Sequence, residues 1–441
     1  MSAAAASAQV LPPRVRVRWR IFSFLFAFGL VGYFQRNNVP VAGVHMMPDL
    51  GLTQMQLAWL LDAFIAGYTI MQFPGGLLGQ RFGARVMMVA ISLTAVLATL
   101  ATPLAPFLLG GTALFALLLA AQLLLGFSQG PIFPVSTGVF EAWFRPGQWS
   151  LVQGLQSMGA NLGSALAPPL IAWLMTILDW RQALVWTAIP ALALIAGWAW
   201  YARNTPEEHP AVTAAERAEL EAPAAERVPG ALSWRTVWAL LSNRDVLLLT
   251  LSYVLMNYAF YLLANWCYLY LVQERHFTEI ESGWLAAAPP LAAALGAGLG
   301  GKLGSYFGMR YGMRMGLRIV PLVALPAAGL LQYAAVGAPN GYLAVAALAL
   351  CFGAVELTEG PYWAAIMNLA REDSMTAGGL LNTGGNVGGL IGTPLIGYLV
   401  QHQAWGTTFA VGTVCAIASG GAWLLIDPTR RAVPPGPAVP S

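Results

Sequence analysis

Twelve apolar windows follow one another along this chain, each long enough to cross the ~30 Å hydrocarbon core of a bilayer. They cover residues 20–43, 56–79, 86–107, 112–138, 149–174, 183–202, 246–272, 283–304, 316–336, 341–367, 377–400 and 406–426. No water is present at that depth to satisfy backbone N–H and C=O groups, so each window is predicted to be a helix. Composition agrees, since 58% of the residues are hydrophobic and 9% are charged. Soluble domains carry roughly 25% charged residues. The first window is not followed by a small-residue cleavage site, and it reads as a retained helix rather than a removable signal.

The positive charges orient these helices. An even number of crossings puts both termini on one side, and every Lys and Arg except Arg36, Arg181 and Arg275 falls there. The positive-inside rule makes that side cytoplasmic. The expected organisation is an N-terminal tail (1–19), a six-helix bundle (20–202), a cytoplasmic linker (203–243), a second bundle (244–426) and a tail (427–441). A short surface helix is expected at "AAERAELE" in the linker. The Ala-rich start and the ending "PPGPAVPS" have too little apolar surface to order themselves and are expected to be disordered. A net charge of +3 is too small to suggest a nucleic-acid partner. Cys267, Cys351 and Cys415 lie in apolar stretches and form no disulfide or metal pattern.

The second half of the chain repeats the first. At an offset of 225 residues, Trp59 matches Trp284, Gly76 matches Gly301, Arg85 matches Arg310, Asn161 matches Asn386 and Pro169 matches Pro394. "QGPIF" in helix 4 answers "EGPYW" in helix 10 at an offset of 230. A duplicated six-helix unit is the design of carriers whose halves rock about a central site.

The loop "GGLLGQRFGARV" resembles the signature loop of the major facilitator superfamily, with Gln80 where an acid is usual. Gly76 and Gly83 permit a tight turn there. Arg81, Arg85 and the repeat partner Arg310 are expected to bind carbonyls or acids at helix ends and latch the halves together. The stretches "YFQRNNVPVA", "AGYTIMQFPGG", "AWFRPGQ", "DWRQAL" and "TPEEHPAVTAAE" resemble the anion:cation symporter family of organic-anion carriers. That family includes the galactonate transporter, with sialin and the vesicular glutamate transporters as relatives. The resemblance implies two pseudo-symmetric six-helix bundles and a small organic anion as substrate, a carboxylate or sugar acid moved by alternating access. The expected setting is a monomer in the plasma (inner) membrane, among lipid, with no cofactor or metal, and the expected coupling ion is a proton, on the strength of Glu356 and Glu359 in helix 10.

Arg36 stands inside the first apolar run, where an unpaired guanidinium costs about 2.5–3.5 kcal/mol on insertion scales. It lies about seven residues, roughly 10 Å, below the expected outer end of its helix. Its planar fork suits a substrate carboxylate in a wet central cavity, and the resemblance implies the same role. The structural alternative is an ion pair with Asp62, which sits about six residues into helix 2 from the same side. The two readings are compatible if Asp62 holds Arg36 until an anion arrives. Asn37 and Asn38 are expected to bridge helices.

Carriers of the galactonate type have an acid before the helix-1 arginine, and an arginine and an acid seven residues apart in helix 4. This chain has Gln35, Gln122 and Gln129 at those places. An amide can bind a hydroxyl or carboxylate but carries no proton, so coupling is sought elsewhere. Helix 10 offers Glu356 and Glu359 on one face beside a Gly-Pro break, and Glu359 is the repeat partner of Gln129. Further candidates for the binding site are Tyr33, Tyr68, Gln156, Tyr261, Tyr362, Trp363 and Asn382. Asn161 and Asn386 are expected to serve helix contact first. There is no Walker loop and no His/Cys metal spacing, and His45, His209, His276 and His402 fall in predicted loops. The chain therefore reads as a carrier and not an enzyme, either proton-coupled or working as an uncoupled facilitator or exchanger. A non-transporting receptor on the same scaffold is the rival of a different class, and the 203–243 loop is too short for a signalling domain.

Overall fold

A computed structural model describes residues 16–219, 234–402 and 404–432. The disorder expected of the Ala-rich start and the Pro-rich end falls outside the described residues. The first half contains α1 (Val17–Arg36), α2 (Asn38–Leu50), α3 (Gln54–Phe82), α4 (Ala84–Leu108), α5 (Gly111–Gln129), α6 (Ile132–Trp143), α7 (Pro146–Ile177) and α8 (Trp180–Tyr201). The linker contributes α9 (Ala214–Ala218) and α10 (Trp234–Ser242). The second half contains α11 (Arg244–Gln273), α12 (Glu279–Leu285), α13 (Ala288–Tyr311), α14 (Met313–Val336), α15 (Gly341–Glu356), α16 (Glu359–Ala370), α17 (Ser374–Gln401) and α18 (Trp405–Ala422). Among the described residues, nine helical stretches are long and apolar enough to cross a membrane. One of the nine, Gly341–Gln401, is itself divided by a 3-10 turn at Arg371–Asp373, whereas Gln54–Phe82 and Trp405–Ala422 are not among them.

The predicted windows lie on these helices with two instructive differences. The first crossing runs on to Leu50, past the expected end at 43, which puts His45 in a helix and not in a loop. The last helix ends at Ala422, before the expected 426. The tail expected from 427 is also fixed at its start. Asp427 N–H donates to Asp245 at 2.8 Å, and Ala432 N–H donates to the Leu369 carbonyl at 2.8 Å.

The repeat decides how the halves meet. α3 and α13 are repeat partners, as are α7 and α17, and the halves join by α7 against α13 and α3 against α17. Met375 of α17 fills a recess at Gly76, Gly79 and Gly138, where a Cβ on Gly76 would collide with the Met375 backbone. Ser150, its partner 225 residues earlier, fills the matching recess at Gly301, Gly304 and Gly360. Around these recesses Leu151 N–H donates to Ser305 at 3.0 Å, Ser374 donates to Glu141 at 2.9 Å, and Gln80 donates to the Glu372 carbonyl. All of these contacts lie at the end of the bundle that holds the linker. Glu216 of α9 accepts the N–H groups of Val17 and Arg18 there, capping α1.

The loop arginines act differently from expectation. Arg85 binds the Ala199 carbonyl of its own half at 2.5 Å, and its N–H donates to Asn204 at the start of the linker at 2.9 Å. Arg81 and Arg310 are exposed and lie over the neighbouring rings of Phe82 and Tyr311. The polar contacts between the halves at this end are made by Gln80, Ser374 and Ser305.

Candidate functional site

Helix breaks place the chemistry. α1 stops at Arg36, and one residue, Asn37, intervenes before α2. Tyr33 and Arg36 are three residues apart on α1, and Phe64 and Tyr68 are four apart on α3, so each pair shares a face. The guanidinium carbon lies 5.1 Å from the Phe64 ring centre and 5.5 Å from those of Tyr33 and Tyr68. Such contacts stabilise a cation by roughly 0.5–2 kcal/mol each. Among the described residues no hydrogen bond or ion pair engages Arg36. Its donors face an open space of about 70 Å³ between the halves.

The opposite wall comes from the second break. Glu356 ends α15 and Glu359 begins α16, with Leu357 and Thr358 between them. Both side chains are buried. Asn161, from the other half, donates to Glu356 at 2.8 Å. Tyr253 donates to Glu359 at 3.0 Å, and the Trp363 indole N–H donates to it at 2.9 Å. No cation touches either carboxyl among the described residues. Phe133 and Trp363, repeat partners at the offset of 230, stack at 5.7 Å across the boundary between the halves. Tyr261 donates to Asn386 at 2.6 Å, and Asn386 donates to Gln72 of the first half at 3.3 Å. Beyond Asn161 and Asn386, toward the end away from the linker, no hydrogen bond or ion pair joins the halves among the described residues.

Of the residues singled out from sequence, Tyr33, Arg36, Tyr68, Tyr261, Glu356, Glu359, Trp363 and Asn382 line this cavity. Others are placed elsewhere. Asp62 is exposed on α3 and makes no pair with Arg36. The longer first crossing explains this: Arg36 lies fourteen residues before Leu50 and Asp62 eight after Gln54. At ~1.5 Å per residue their depths differ by about 9 Å. Gln35, about 100° around the helix from Arg36, faces into the first bundle and lines a separate space of about 20 Å³ with Gln129 and Ser92. Gln122 is buried outside both spaces. Gln156 donates to Ser136 at 2.7 Å inside the first half. Tyr362 bonds Ser252 at 2.6 Å and Ser419 at 2.9 Å, on the far side of α16 from Trp363. Asn38 bridges to Thr187 at 2.9 Å, whereas Asn37 turns back to the Tyr33 carbonyl.

Sequence reasoning passed over Tyr253, Phe133, Phe260 and Ser157, and undervalued Asn161 and Asn386. A signal existed for two of them. Tyr253, Asn257 and Tyr261 recur every four residues on α11, and Phe133 is the repeat partner of Trp363.

Two bundles related by an internal repeat, closed at one end around a polar cavity at helix breaks, define a membrane carrier fold. The Major Facilitator Superfamily family model matches residues 24–378, and the chain belongs to that superfamily of transporters. It is 28% identical to a probable sulfoacetate transporter of Cupriavidus necator, over 88% of this chain and 89% of that protein. It is 26% identical to a probable galactarate/D-glucarate transporter of Bacillus subtilis, over 95% and 94% of the two chains. A solved superfamily transporter, FucP in its outward conformation, shares the fold with a TM-score of 0.69 at 14% identity, covering 93% of this chain and 100% of that one.

Proposed function

We propose that this protein is a secondary active transporter of a small organic anion, a carboxylate or sugar acid, that works by alternating access with a coupled proton. The observation that carries the reading is Arg36, a guanidinium held by aromatic faces in a central cavity with its donors unengaged. A carboxylate supplies the missing bidentate partner. The two relatives described by sequence are named as anion carriers, which supports the class. Positive charge concentrated at the linker end supports cytoplasmic termini, and the halves then meet on the cytoplasmic side and open outward. The protein works as a monomer in the inner (plasma) membrane, among lipid.

Glu359 is the proposed proton carrier. A proton there removes a negative charge facing the incoming anion, so proton and anion each favour binding of the other, as symport requires. The test is uptake of D-galactonate and related acids into proteoliposomes with and without an inward proton gradient. Gradient-dependent accumulation is expected, and accumulation that ignores the gradient would sink the coupling. Gln35, Gln122 and Gln129, neutral where relatives of the galactonate type are charged, favour the second reading, an uncoupled facilitator or exchanger. Counterflow of labelled substrate separates either carrier from a receptor.

A further inference from the structure

We infer that the cavity selects a monoanion, a molecule with one carboxylate or sulfonate and an uncharged, hydroxyl-bearing far end, and rejects molecules with an acid at both ends. The inference rests on the organic-anion reading above and deepens it.

Its basis is the charge around the cavity. Arg36 is the single cation among the described residues that line it, and it belongs to the first half. The second half contributes two carboxyls, Glu356 and Glu359, each held, among the described residues, only by neutral donors. An anion seated on Arg36 directs its other end toward that second wall. A second anionic group there would meet acidic side chains with no positive charge among the described lining residues to offset them. One coupling proton neutralises one of the two carboxyls, and the other still opposes it. A hydroxyl meets a different surface. It can donate to the Glu356 carboxylate and accept from the amides of Asn257 or Asn382, all on the same lining. Repulsion of the wrong partner, in addition to attraction of the right one, is how such sites discriminate. The prediction sets this chain apart from the two relatives described above, whose names are those of carriers of doubly charged acids.

Matched pairs that differ only at the far end test it. These are D-galactonate against galactarate, D-glucuronate against D-glucarate, and 2-hydroxyethanesulfonate against sulfoacetate. Binding to the purified full-length protein is read by calorimetry, which does not require transport. The monoanion of at least one pair should bind, with its diacid at least ~10-fold weaker, because like-charge juxtaposition costs several kcal/mol and 1.4 kcal/mol is tenfold. Glu356→Gln should narrow that ratio, and Glu359→Gln provides a second reading if the first variant does not fold. A diacid that binds as tightly as its monoanion overturns the inference and leaves the anion reading standing. So does a ratio unchanged in both variants. If no member of any pair binds, the anion reading falls and the inference with it.

Discussion

The two halves of the bundle began from one plan and now do different work. In the first half, the position matching Glu359 is Gln129, buried with Gln35 in a small side space away from the centre. The position matching Glu356 is Gly126, packed so closely on the Phe64 backbone that no side chain fits. The helix break moved as well. α5 runs through Gln129, while α15 stops at Glu356, one helical turn earlier in register. That earlier break turns both acids of the second half into the central cavity. The first half supplies the cation and its aromatic box. The comparison teaches that the cation and the acids of the cavity have been divided between the two halves, so an anion bound between them changes the electrostatics of both.

The largest effect that would break this division is at Arg36. Arg36→Lys keeps the charge but loses the planar fork. Substrate affinity is expected to fall on the order of 100-fold, the two or three kcal/mol of a bidentate charged bond, with normal insertion and a normal size-exclusion profile. Wild-type affinity in this variant would remove Arg36 from the site.

Next in size is Glu359→Gln, which makes the second half resemble the first at the matching position. Uphill uptake driven by a proton gradient should disappear, while exchange of substrate across the membrane continues. If both persist, the proton is carried by a group other than Glu359.

Much of this plan was legible in the sequence, because the bilayer leaves few choices. Length and apolarity located the helices, and the offset of 225 residues paired them. What stayed hidden was rotation about each helix axis. Gln35 and Arg36 are adjacent in sequence yet face different spaces, and Tyr362 and Trp363 do the same. Depth was misjudged for Arg36 because the apolar pattern weakens after residue 43 although the helix continues to Leu50. The cross-half bond from Asn161 to Glu356 was out of reach for the same reason, since it depends on how two helices of different halves are turned toward each other.

That bond gives a smaller, sharper comparison. Asn161→Ala leaves a buried carboxyl oxygen without its donor, which costs about 1–3 kcal/mol. The repeat partner Asn386 instead joins Tyr261 and Gln72. Thermal unfolding of Asn161→Ala should improve in the presence of bound substrate more than that of wild type, because the anion refills the cavity beside Glu356. Equal stabilisation of the two proteins would mean that Asn161 serves helix contact alone.

The smallest effect is expected at Asp62, although its sequence position suggested a large one. A buried counter-ion removed from Arg36 would leave an uncompensated charge and cost ~3–5 kcal/mol. The structure gives Asp62 no such role. It is exposed, about 9 Å from the depth of Arg36 by helix geometry, and two residues around α3 from Phe64, whose ring is the one nearest the guanidinium. Two residues turn a side chain through about 200°, so Phe64 and Asp62 face nearly opposite ways. Arg36 is stabilised by three rings, none of which Asp62→Asn touches. The variant should therefore unfold within ~0.5 kcal/mol of wild type, the range of exposed substitutions away from such features, and keep its substrate affinity. A loss of several kcal/mol, restored by added anion, would show that Asp62 reaches Arg36 in another stage of the cycle. The first half would then hold an acid of its own at the site, and the division of charge between the halves would no longer stand.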